Sequence, residues 1–367
     1  MPNGSPGGSL GGSLGGSPVA TATERIFGDL QEVAARVRGR LEAEITESAY
    51  ELPADVAPAF EISRFAREER ARVLEAGVSG LEKLAAHRED ELDGDESFGV
   101  EAIVLMEGRP AILVQRQDFA PQHDEWAVLD GQRPAIRESL ARVGRVEVSG
   151  HPRLDWIGTA FLVGPRAVMT NRHVAVEFAR SADGDGRWTF DYGMSARVDP
   201  AEELPLAGEP PGASVPYEIT EIIGIHPDVD MALLRIEPSA DGGLPTPLAV
   251  AADAPASVPG RQVYVIGYPA WDGRRNEPES MRRIFMDVYN VKRLQPGAAT
   301  EFTPGGLVLK HDCSTLGGNS GSPVLDLTDH RVLGLHFGGR YGTGNFAVPL
   351  WELLDDPLLT AAEVNWV

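Results

Sequence analysis

Gly158-Thr-Ala-Phe-Leu-Val-Gly164, followed after a turn by Ala167-Val-Met-Thr-Asn-Arg-His173, decides the fold. Two apolar runs, the second ending in Thr-Asn-Arg-His, predict two buried strands and then a short helix over Val174–Arg180. Downstream the same texture repeats. Strands are predicted over Glu218–Ile225, Met231–Ile236, Gln262–Gly267, Gly306–Lys310, Ser322–Leu325, Val332–Phe337 and Asn345–Val348, separated by Gly, Pro and Asp turns. Many short strands with almost no helix indicate an all-β barrel or sandwich of about 200–220 residues.

Upstream the texture is different. Residues 1–22 are a Gly/Ser-rich tail with a repeated GGSL unit, a composition that cannot bury apolar area. Ile26, Leu30, Val33, Val37, Leu41 and Ile45 recur at helical spacing behind Thr23, a candidate N-cap. A second helical stretch runs from about Ser63 to His87, with Phe65, Val73, Leu74, Val78, Leu81 and Leu84 on its apolar side. The acidic run Glu89–Glu96 reads as a solvated linker. Val100–Met106 and Ala111–Gln115 flank a turn at Glu107–Pro110 and predict a hairpin, and Ala135–Val143 a short helix. The chain thus divides into a tail (1–22), a helical region (23–95), a connector (96–144) and a β domain (145–367).

Of the 367 residues, 33 are Lys or Arg and 55 Asp or Glu, a formal net charge of -22. Such a surface repels phosphate backbones and anionic membranes, so neither nucleic acid nor membrane is an expected partner. Cys313 is the single cysteine, so no intrachain disulfide can form. The first residues carry no basic stretch and no apolar stretch of a signal peptide, and no apolar run approaches a membrane span. The expected location is the cytoplasm.

Three segments of the β domain carry chemistry. The first ends at His173. The second, His226-Pro-Asp-Val-Asp230-Met-Ala-Leu-Leu-Arg-Ile236, sets an acid at the mouth of an apolar strand. The third is Thr315-Leu-Gly-Gly-Asn-Ser320-Gly-Ser-Pro-Val324. A hydroxyl is a poor nucleophile near neutral pH, so it needs a base beside it and a third group that orients the base. It also needs amide donors at the developing oxyanion, and Gly317 and Gly318 allow the N–H groups of Gly318 and Ser320 to converge. His, Asp and Ser follow one another in the order found in chymotrypsin. Asp228, the rival acid, reads as a turn residue after Pro227.

These segments closely resemble trypsin-like peptidases of the bacterial glutamyl endopeptidase branch. T-N-R-H, D-M-A-L-L and G-N-S-G-S-P-V match that family's histidine, aspartate and nucleophile motifs, and the resemblance covers roughly residues 145–355. It implies a mainly β, chymotrypsin-like double antiparallel barrel behind an α-helical extension. In it His173 is the general base, Asp230 its orienter and Ser320 the nucleophile. Asn319 stands where trypsin-type zymogens carry an acid that pairs with a newly cut N-terminus. Leu333-Gly-Leu-His336-Phe-Gly-Gly339 resembles the pocket wall of glutamyl endopeptidases, and Thr315 matches a pocket residue there. The resemblance therefore implies that Thr315 and His336 bind substrate and that cleavage follows Glu, less readily Asp. That family also uses the α-amino group of its mature N-terminus in the pocket.

The expected function is that of a serine endopeptidase working through an acyl-enzyme on protein or peptide substrates, with no cofactor and no metal. Two alternatives stand beside it. One is a regulated effector protease of a bacterial defence or signalling system, recruited by a protein partner through residues 23–95. The other is a catalytically silent binding scaffold. His87, His123, His151, His226, His311 and His330 read as structural, and Cys313 as a small buried hydrophobe.

Overall fold

The computed structural model describes residues 109–182, 187–206, 210, 215–238, 243–270, 288–340 and 344–367, and before these 30–31, 33–35, 37–38, 72, 75–86, 88, 91, 93 and 96. The chain forms two compact units, Met1–Val104 and Leu105–Val367.

In the first unit residues 75–85 are helical, as are 30–31, 33–35 and 37–38. Leu30, Val33, Ala34, Val37, Val78, Leu81 and Leu84 are buried at the three- and four-residue steps of an amphipathic face. Glu96 accepts from Ser79 Oγ at 2.7 Å and Lys83 Nζ at 2.6 Å. The two expected helices otherwise extend over residues outside the described set.

The second unit opens with β1 (Ile112–Gln115), β2 (Asp118–Phe119), α1 (Val128–Gly131) and α2 (Arg133–Leu140). A closed barrel follows, built from β3 (Val143–Ser149), β4 (Trp156–Gly164), β5 (Ala167–Thr170), β8 (Ser195–Asp199), β9 (Tyr217–Ile225) and β10 (Ala232–Pro238). α3 (Arg172–Ala175) and the hairpin β6 (Ala179–Ala182) and β7 (Arg187–Phe190) lie between β5 and β8. The second barrel takes β11 (Arg261–Gly267), β12 (Arg293–Phe302), β13 (Leu309–His311), β14 (Pro323–Asp326), β15 (Val332–Arg340) and β16 (Gly344–Pro349), and closes through β11 and β12. The short helix α4 (Pro357–Ala361) follows β16, its Asp356 cap accepting from the Leu358 and Leu359 amides. Fold and class are as expected: two six-stranded antiparallel barrels.

Strand β4 shows why the run Ala160–Val163 is continuously apolar. Ala160 and Leu162 point into the first barrel beside Val146, Val168 and Leu234. Phe161 and Val163 point the other way, into a core shared with Tyr264, Ile266, Leu325 and Leu335 of the second barrel. A strand buried on both faces needs apolar residues at every position, not at alternate ones. Each side chain of Leu size so buried contributes about 2 kcal/mol. The inter-barrel core holds β4 and β5 of the first barrel against β11, β14 and β15 of the second.

Local expectations differ from the structure at several points. The helix expected at Ala135–Val143 is α2 (Arg133–Leu140), and Val143 already begins β3. Residues 172–175, not Val174–Arg180, are helical, because from Ala179 the backbone pairs as β6 with β7. The strand expected at Gly306–Lys310 is β13 at Leu309–His311; Gly306 instead donates to Thr303 O in a turn. The second arm of the expected hairpin forms as β1, but it pairs with β2 and β12. Its first arm lies outside the described residues. Among the described residues no helix is long and apolar enough to cross a membrane.

Candidate active site

β5 delivers Thr170 and Asn171 to the barrel rim, where α3 turns His173 toward the mouth of β10. His173 Nδ1 lies 2.6 Å from Asp230 Oδ2, and the His173 amide donates to Asp230 Oδ1 at 3.0 Å. Asn171 Nδ2 donates to the Asp230 carbonyl at 2.9 Å, so backbone and carboxylate of the acid are both held. Burial pushes the Asp230 carboxyl up, but the ring and amide of His173 outweigh it and hold the group below the usual carboxylate range. An ionised carboxylate on Nδ1 fixes the imidazole tautomer, leaving Nε2 free to accept a proton. Asp228 is exposed, and its amide donates to His226 Nδ1. His226 Nε2 in turn meets Asp356 at 3.1 Å, so this histidine shapes the loop that presents Asp230.

Ser320 sits on the loop between β13 and β14, which the first barrel grips. The Thr159 amide donates to Ser320 O at 2.8 Å and Thr159 Oγ1 to Gly318 O at 2.8 Å, fixing two peptide planes of the loop. Gly158 brings the histidine and serine segments together: a Cβ there would stand 2.8 Å from Val174 Cγ2 and 3.0 Å from Ser320 O. Gly318 and Gly321 have φ of 85° and 90°, the left-handed region that favours glycine. A Cβ at Gly321 would overlap the Thr159 carbonyl. Trp156 packs against Gly318, with the Arg145 guanidinium 5.5 Å from its ring centroid. Asn319 is fully buried, a neutral amide with neither side-chain atom hydrogen-bonded among the described residues.

The segment Thr315 and strand β15 meet beside this loop. His336 is buried; its carbonyl accepts from Gly321 N at 2.9 Å and its Nδ1 lies 3.1 Å from His311 Nε2. Burial pushes the His311 imidazole down to about 4 and His336 well below its ordinary value, so both are neutral. Thr315 Oγ1 donates to Asn345 Oδ1 at 2.8 Å, and Asn345 Nδ2 donates to the Cys313 carbonyl at 2.6 Å. The second bond orients the amide, so the Thr315 proton is committed to Asn345 and not offered to a ligand. Asn345 drew no reading from the sequence, and His311 read as a structural histidine with nothing to name its partner. The signal that joins them, the β13–β16 pairing of His311 with Asn345, is tertiary.

Glu147, Asp199 and Glu202 of the first barrel cluster closely enough to hold a cation. Arg145 and Arg197 each lie 2.6 Å from Glu147, and Arg145 lies 3.1 Å from Glu202, so the group is an ion-pair network. Cys313 is buried, and burial pushes its thiol well up, which keeps it neutral.

A double barrel that sets a histidine oriented by an aspartate and a glycine-flanked serine loop on either side of Gly158 is the arrangement of a serine peptidase. A family model for the trypsin-like peptidase domain matches residues 158–335. A "probable serine protease" of Lysobacter enzymogenes is 30% identical over 314 residues, 77% of this chain and 80% of that protein. The glutamyl endopeptidase of Staphylococcus epidermidis is 28% identical over 186 residues, 50% of this chain and 54% of its own length. The crystal structure of the active form of the Rv3671c protease from M. tuberculosis aligns with a TM-score of 0.42 at 21% identity, covering 70% of this chain and 91% of that one. The chain belongs to the trypsin-like peptidases and is a serine endopeptidase.

Proposed function

We propose that Ser320 attacks the scissile carbonyl, that His173 takes its proton and returns it to the leaving amine, and that Asp230 holds His173 for both transfers. The N–H groups of Gly318 and Ser320 receive the oxyanion. The observation that carries this reading is the two-point contact of Asp230 with the ring and amide of His173. Removing the orienting acid from such a set costs about 10⁴-fold in turnover, and a two-point contact is what that role requires.

The pocket beside Thr315 and His336 takes Glu, and less readily Asp, before the scissile bond. Because His311 Nε2 faces His336 Nδ1, a proton on His311 Nε2 leaves His336 protonated on Nε2. A neutral imidazole in that tautomer donates to a carboxylate without itself carrying charge. Thr315 serves by locking Asn345. The glutamyl endopeptidase among the relatives supports the same preference.

A peptide-library cleavage profile of the wild type beside Ser320→Ala tests both statements. Cleavage after Glu that disappears in the variant is expected. Fluorophosphonate that never labels the folded wild type would sink the catalytic assignment, and a profile indifferent to Glu would sink the pocket assignment alone.

A further inference from the structure

Arg109, ahead of β1, grips the segment that follows β13. Its Nε donates to Asp312 Oδ1 and its Nη2 to Asp312 Oδ2, each at 2.7 Å, a fork-on-fork pair. Ser314 Oγ donates back to the Arg109 carbonyl at 2.6 Å. The arginine is buried, lies 5.7 Å from the Trp126 ring centroid and has Glu125 at 3.6 Å. Two residues on, the Ala111 carbonyl accepts from buried Arg293 at 2.7 Å, and β1 then pairs with β12.

Asp312 and Ser314 alternate with His311 and Thr315, whose side chains meet His336 and Asn345. β13 ends at His311, so residues 312–315 have no strand ladder to hold them. Their other backbone ties are Asp312 N to Ala298 O at 3.1 Å, Asp312 Oδ1 from Ala298 N at 2.7 Å, Cys313 O from Asn345 Nδ2 at 2.6 Å and Ser314 O from Gln295 Nε2 at 2.6 Å. A segment outside a ladder takes its position from the side chains that bind it, and a planar fork gripping both carboxylate oxygens fixes angle as well as distance.

We infer that Arg109 is a positioning residue for substrate selectivity: through Asp312 and Ser314 it sets the segment that carries Thr315, and so ties the connector from the N-terminal region to the pocket. This rests on the reading of residues 311–315 as pocket wall. A misplacement of that wall by a fraction of an ångström weakens recognition of the residue before the scissile bond and leaves the chemistry at Ser320 untouched.

Full-length Arg109→Gln, Arg109→Lys and Asp312→Asn are compared with wild type on two peptides, one carrying the residue the wild type prefers before the scissile bond and one carrying Ala there. Fluorophosphonate labelling of Ser320 is followed in parallel. Arg109→Gln and Asp312→Asn are expected to lower kcat/KM on the preferred peptide by about tenfold or more, mostly through KM. The Ala peptide and the labelling rate should stay within about twofold. Arg109→Lys, which keeps the charge and loses the fork, should fall between. Proportional loss on both peptides and in labelling would overturn the inference, as would unchanged selectivity in the folded variants. Should Arg109→Gln not fold, Asp312→Asn, which is isosteric, decides by the same criteria. A wild type that prefers a residue other than Glu disproves the pocket chemistry proposed above, and the clamp is then judged on the preferred residue. A wild type with no preference overturns both.

Discussion

His311 and His336 meet inside the second barrel, Nε2 to Nδ1 at 3.1 Å with ring centroids 5.2 Å apart, and both are buried. One nitrogen of that contact must carry the proton and the other must lack it. Two imidazolium ions at this distance would be buried, unpaired like charges, so the barrel accepts the pair only in neutral form. The same arrangement has a consequence for stability and one for specificity.

For stability, the folded state refuses a proton that the unfolded chain accepts. His311 titrates at about 4 when folded against 6.5 as the ordinary value. A depressed folded value means that stability is intact above pH 6.5 and is lost as pH falls from about 6.5 toward 4. His311 alone should account for about 2 kcal/mol of the loss between pH 7 and pH 5. Urea unfolding of wild type and His311→Asn at several pH values measures it. The variant should show a shallower dependence, and equal slopes would refute the assignment.

For specificity, a neutral donor predicts discrimination that does not titrate. The preference for Glu over Gln before the scissile bond should hold constant from pH 6 to 9, whereas an imidazolium donor would lose it above neutrality. Asn345→Ala frees Thr315 and strands the Cys313 carbonyl. We expect it to lower kcat/KM for the Glu peptide by about tenfold with little change in the rate of Ser320 labelling. Parallel loss of both rates would assign Asn345 to general packing.

At the proposed triad, Asp230→Asn should leave the protein folded, since the amide is isosteric, and should lower kcat by about 10⁴-fold. Ser320→Ala should abolish fluorophosphonate labelling and lower kcat by about 10⁶-fold. Asp228→Asn should do neither, because Asp228 is exposed and its contact to His226 runs through the backbone amide. Kinetics on one peptide substrate separates the two aspartates directly.

Much of this arrangement was legible in the residues. Gly158–Val163 and Ala167–Thr170 read as strands because they are buried on both faces and therefore apolar at all but Thr159 and Thr170, whose hydroxyls are hydrogen-bonded. The catalytic candidates read because three chemistry-bearing motifs fall in order. β12 was not legible: its Arg293-Leu-Gln-Pro-Gly297 looks like a turn. Pro296 nonetheless sits opposite Tyr264 within the ladder, and register with β11 runs unbroken from Gly267 to Arg261 across it. Tertiary pairing on both sides of β12 outweighs its local propensity. The roles of Arg109 and Asn345, and the partner of His311, were not legible for a related reason. Each residue works through a partner distant in sequence, and nothing in its own neighbourhood marks it.

Asn319 supplies the last prediction. It is fully buried and lies beside Gly267 and Ser322, whose hydroxyl, like both Asn319 side-chain atoms, has no hydrogen-bond partner among the described residues. A neutral amide is tolerated there; an ionised carboxylate of the same shape is not, since burial without a cation strongly disfavours the charge. Asn319→Asp should therefore fold with its new carboxyl protonated at low pH, and the charge that forms as pH rises should disturb the loop that presents Ser320. The variant's activity relative to wild type should climb as pH is lowered from 8 to 6, opposite in sign to the loss a general base suffers on protonation. A variant-to-wild-type ratio that is flat with pH would mean that the loop accommodates the charge, and that its activity does not depend on a neutral residue before the serine.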